Sequence, residues 1–122
     1  MNNTLDLETS KLIYKTIGDF DTEKTWYDCG SNIWNCGDWA EAMNNGKDYA
    51  QSTAPGYGIK TIPAPSLGET IRILPKIGEE RGWDNGWYRV MDAVNLACIY
   101  ISAPSPEEGM KQVGEYLTKL LK

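Results

Sequence analysis

Residues Trp83 to Ala103 read WDNGWYRVMDAVNLACIYISA, and the fold class turns on whether this run is strand or helix. By composition it is β. Asn85-Gly86 is the dipeptide a tight type I′ turn wants, because both central positions take φ > 0. WYRVM (Trp87–Met91) and LACIYIS (Leu96–Ser102) are rich in aromatic and β-branched side chains, which suit a pleated, half-buried surface. LACIYIS is nearly continuous apolar sequence, as expected of a central strand covered on both faces. Cys98 within it reads as a small core residue. The expectation is a β-hairpin here.

On either side the signals are helical. After the run comes SPEEGMKQVGEYLTKLLK, Ser105–Lys122. Ser105 caps, Pro106 sits at N1, and Glu108 stands where a capping box needs it. Met110, Val113, Leu117, Leu120 and Leu121 form the apolar stripe. Gly109 and Gly114 cost helix propensity, and Gly114 lies beside the stripe, so another element should approach it closely. Before the run comes PAPSLGETIRILP, Pro63–Pro75. Ser66 and Glu69 form a capping box, and Leu67, Ile71 and Leu74 recur at helical spacing. Pro75 lacks an amide hydrogen, so the helix ends or kinks there, with KIGEERG continuing as another turn before Gly82. A third helix is DLETSKLIYKTIG, Asp6–Gly18, capped by Asp6 and stopped by Gly18. Its apolar face is Leu12, Ile13 and Ile17, with Phe20 folding back on the last turn.

TWYDCGSNIWNCGDW, Thr25–Trp39, splits as WYDC, a Gly30-Ser31-Asn32 turn, and IWNC, a second hairpin. DWAEAMNNG, residues 38–46, reads as a short helix capped by Asp38 and stopped at Gly46. Residues 46–65 are the least regular part, a long loop of the kind that carries function or moves. The expected architecture is a single α+β domain over residues 1–122. An antiparallel or mixed sheet of about four strands packs with three helices, in the order α-ββ-α-ββ-α.

Composition closes several routes. The chain has 122 residues, 41% apolar and 24% charged, with net charge −5, so one folded core is expected. Residues 1–60 carry nine Asp/Glu against five Lys/Arg, which argues against binding a phosphate backbone. Histidine is absent, which removes Ser-His-Asp and Cys-His nucleophile systems and every His-ligated metal site. Three cysteines, Cys29, Cys36 and Cys98, fit free thiols better than a disulfide framework or a zinc site. No metal and no cofactor is expected. The N-terminal residues lack a basic region followed by an apolar run, so no signal peptide and no membrane span is expected, and the default location is the cytoplasm.

IPAPSLGETIRILPKIGEERGW (62–83) together with YISAPSPEEGMKQVGEYLTKLL (100–121) resembles a family of small phage and prophage proteins. In these a Pro-Ala-Pro-Ser/Thr-Leu motif opens a helix ending in Leu-Pro. A strand follows, then a C-terminal helix with a Pro-Glu-Glu-like cap. The matching residues are Pro63 to Leu67, Leu74-Pro75, and Pro106 to Glu108, with Gly18 to Asp21 also similar. The resemblance covers roughly the C-terminal half, and residues 25–60 depart from it. It implies an accessory protein of a mobile element, working in a bacterial cytoplasm. The shared motifs are caps and breakers, which specify fold rather than chemistry.

Candidate contact residues are Trp26, Trp34, Trp39, Tyr49, Tyr57 and Lys60. Indole and phenol suit core edges, pockets and interfaces alike, and core packing claims most of them. A-P-G-Y-G-I-K (54–60) lacks Walker spacing and reads as a contact loop. The leading expectation is a non-enzymatic protein that binds a host protein or a small ligand such as a nucleotide signal, inhibiting host defence. Self-association would hide the edge-type aromatics. Asp28, Asp38, Asp84 and Asp92 lie near tryptophans or strand ends and carry the alternative, a carboxylate hydrolase or glycan-active enzyme with a Trp-lined cleft. A structural virion component is a third reading.

Overall fold

A computed structural model describes residues 3–28, 34–38, 60–83 and 85–122, with the side chains of 38, 60 and 85–89 outside that description. Among the described residues the order is α1 (Leu7–Ile17), β1 (Lys24–Asp28), β2 (Trp34–Asp38), β3 (Lys60–Ala64), α2 (Leu67–Arg81), α3 (Asn85–Ser102) and α4 (Pro106–Leu121). The class is α+β, as expected, but the described residues hold four helices and three strands.

The run Trp83–Ala103 is the correction. It forms one 18-residue helix, α3, in place of a hairpin. An Asn-Gly turn needs a strand on each side, and only Trp83 and Asp84 separate Gly82 from Asn85. Between the two supposed strands, DAVN offers neither Gly nor Pro to reverse the chain. Burial settles the period. Leu96 is fully buried, while Ala93, Ile99 and Tyr100 pack partly against the core, one face of a 3.6-residue repeat. Strand alternation would have put Cys98 beside Leu96; Cys98 is instead exposed.

The caps stand where the sequence places them. Asp6 accepts from the Thr9 amide at the start of α1, and the Gly18 amide bonds Tyr14 O at its end. Ser66 and Glu69 form both halves of the capping box. Glu69 Oε2 also accepts from the Glu23 amide at 2.8 Å, tying the start of α2 to the entry of β1. Helix α2 runs through the exposed Pro75 to Arg81. It ends at Gly82 in the left-handed region (φ 69°, ψ 29°). There the Trp83 amide bonds Gly78 O and the Gly82 amide bonds Glu79 O, the Schellman pattern. At α4, Ser105 accepts from the Glu108 amide, while the Glu108 carboxylate turns forward to Gln112 Nε2.

The hairpin read from WYDC and IWNC is present as β1 and β2, antiparallel with Trp26 opposite Cys36. Its turn, and the helix expected over residues 38–46, lie outside the described residues. The third strand was read as loop. KTIPA pairs antiparallel with β1, Ile62 opposite Trp26 and Pro63 opposite Thr25, in the order β2-β1-β3. Its proline fits an edge strand, where the missing donor faces away from the ladder.

The core is helical. Leu5, Ile13, Leu74, Ile77, Leu96, Met110, Val113, Leu117 and Leu121 form one buried cluster, with Phe20 packed against it. Helix α4 supplies its centre and is approached closely at two glycines. A Cβ on Gly109 would lie 2.8 Å from the Tyr100 ring of α3. One on Gly114 would collide with the Asp6 carboxylate and come within 3.1 Å of Thr9 Oγ1, both from the start of α1. No helix of the described residues is long and apolar enough to cross a membrane.

Gly114→Ala should therefore destabilise the protein by about 1–3 kcal/mol through steric conflict, reversing the gain of up to about 1 kcal/mol that Gly→Ala brings to an open helix site. Gly68 in α2 has open space around its missing Cβ, so Gly68→Ala should be neutral or stabilising. Urea unfolding of both variants checks this; equal behaviour would refute the close approach at Gly114. A second outcome concerns Ser10, buried in α1 with no hydrogen-bond partner for Oγ. Ser10→Ala should raise the melting temperature, since the hydroxyl is desolvated without compensation.

Candidate functional site

The sheet face carrying Trp26 looks toward α1. Leu5 is fully buried, so both its backbone groups need partners. Its amide donates to Pro65 O at 2.9 Å, and its carbonyl accepts from Trp26 Nε1 at 3.1 Å. Trp26 thus closes a backbone account at the core edge. Trp34 lies on the same sheet face, half-buried, with Lys11 Nζ 5.2 Å from its ring centroid, within range of a cation–π contact. Cys36, opposite Trp26 in register, is half-buried with Sγ 3.6 Å from Thr4 Oγ1. The sheet brings Trp26 and Trp34 to one face, where both meet the N-terminal segment or α1. Trp39, Tyr49 and Tyr57 lie outside the described residues, and Lys60 is described only as the first residue of β3.

Where α1 meets α4 there is a cleft of about 500 Å³ lined by Asp6, Glu8, Lys111, Glu115 and Lys119 among others. Its floor is a polar lock. Thr9 Oγ1 is 2.7 Å from Asp6 Oδ1, 3.1 Å from Thr118 Oγ1 and 3.3 Å from Gly114 O. A hydroxyl has one hydrogen to give. The shortest, charge-assisted bond takes it to Asp6, and Thr118 then donates to Thr9. Thr9 is 1% exposed while Asp6 stays exposed at the cleft, and the Thr9 hydroxyl links α1 to α4 through Thr118.

A second polar group joins α3 to α4. Tyr116 Oη donates to Asp92 Oδ1 at 3.1 Å and accepts from Asn95 Nδ2 at 3.2 Å. Burial pushes the Tyr116 phenol above its ordinary value of 10.0; the Asn95 bond opposes this, and the bond to Asp92 and its charge reinforce it. Of the four aspartates read as acid–base candidates, Asp92 is engaged here and Asp28 is buried in β1. The Asp38 carboxylate and Asp84 lie outside the described residues. Among the described residues no group of three or more Cys, Asp and Glu is placed to hold a metal ion.

The feature that strand reading concealed is the outer face of α3. Val90, Met91, Val94 and Ile101 are 56%, 39%, 47% and 78% exposed, and Cys98 is exposed among them. Met91, Val94, Cys98 and Ile101 recur at intervals of three, four and three residues, one continuous stripe along a helix. Inward, the same helix buries Leu96 and bonds Asp92 to Tyr116. The signal was in the spacing, but β-branched composition outweighed it. Together these side chains form an exposed apolar stripe on the described surface.

No protein-family model matches this sequence, and comparison with curated proteins and with solved structures gives no significant match.

Tyr116→Phe should cost about 0.5–1.5 kcal/mol near pH 7 by removing both hydrogen bonds. The raised phenol pKa sets the sign at high pH. The native state keeps its proton where the unfolded state has lost it, so the stability tied to Tyr116 is intact below pH 10 and falls as pH rises through the folded value. Urea titrations at neutral pH and above pH 10 should show the gap between wild type and Tyr116→Phe narrowing. A constant gap would contradict the raised phenol pKa.

Proposed function

We propose that this chain is a non-enzymatic accessory protein of a phage or other mobile element, working in a bacterial cytoplasm by occupying a protein partner. The observation that carries the reading is the exposed apolar stripe on α3, Val90, Met91, Val94, Cys98 and Ile101. Provenance comes from the Pro63–Leu67 and Pro106–Glu108 resemblance. The stripe offers apolar contact and no cation, which suits a protein groove or helix over a nucleotide. Several polar side chains of the described residues serve the fold: Asp6 and Glu69 cap helices, and Asp92 holds Tyr116. Blocking a component of host defence is the concrete form of such an activity.

The test is affinity capture from a bacterial lysate with three baits: wild type, Val94→Glu/Ile101→Glu, and Trp34→Ala. Both stripe positions are exposed, so the double variant should fold. A partner recovered by wild type and Trp34→Ala but lost with the double variant is the expected result. Equal recovery by the double variant would move the contact away from α3.

A further inference from the structure

We draw no further inference here: the strongest candidate, the cleft between α1 and α4 with the exposed carboxylates of Asp6, Glu8 and Glu115 on its walls and Lys111 and Lys119 beside them, is a cluster of acidic side chains whose hydrogen bonds serve the start of α1 and its contact with α4, and nothing else in the structure points to a ligand there.

Discussion

The contact of the first turn of α1 with Gly114 organises this molecule. Two helices approach to the distance of a hydrogen atom in place of a methyl group, and the Asp6 carboxylate and Thr9 hydroxyl fill the space. The same residues cap α1, so the cap and the interhelical clamp are one structure. Because Thr9 also meets Thr118, the beginning and end of the helical layer are fixed to each other. The N-terminal segment then reaches the sheet: Leu5 takes the Pro65 carbonyl and the Trp26 indole on its two backbone groups. Glu69 makes a second link from helices to sheet, through the Glu23 amide. A carboxylate engaged in this way on two sides joins local helix initiation to tertiary order.

Legibility in the sequence divided by type of signal. Caps and breakers act over three or four residues and depend little on what lies beyond, so Asp6, Ser66 with Glu69, Gly82 and Ser105 could be placed correctly. Gly114 was also legible, because a costly residue beside an apolar stripe implies a close neighbour. The strand reading of Trp87–Ser102 failed because β propensity largely reports packing on a pleated surface, and tertiary context decides whether such a surface exists. Here the context was an adjacent helix. Tyr100 seats against Gly109, and a tight connection at Ala103–Ser105 returns the chain antiparallel. Strand β3 was missed for the opposite reason. KTIPA has a proline and little apolar alternation, and only the register with β1 identifies it. For the candidate site, the sequence showed which aromatics have a wet and a dry side. It could not show that Trp26 would be taken up by a backbone carbonyl, since that partner lies twenty-one residues away.

Chemistry and contact are unevenly distributed over the described surface. The polar clusters that a search for catalysis would reach first, Asp6–Thr9–Thr118 and Asp92–Tyr116–Asn95, each bridge two helices through their hydrogen bonds. The α3 stripe, by contrast, stays exposed. Apolar side chains left in water on the face opposite a packed one are surplus to folding, which makes that face the informative one. It also explains how a helix can look like a central strand in one dimension. Apolar on its inner side for the core and carrying Val90, Met91, Val94 and Ile101 on its exposed side, it loses the polar face that normally identifies an amphipathic helix.

The proline of β3 bears on how copies of this chain can meet. Sheet edges are the commonest route by which folded chains add to one another without limit, since each new strand creates another edge. Among the described strands β3 is the outer one on its side, and Pro63 leaves it one backbone donor short, which limits the continuous ladder it could form with an added strand.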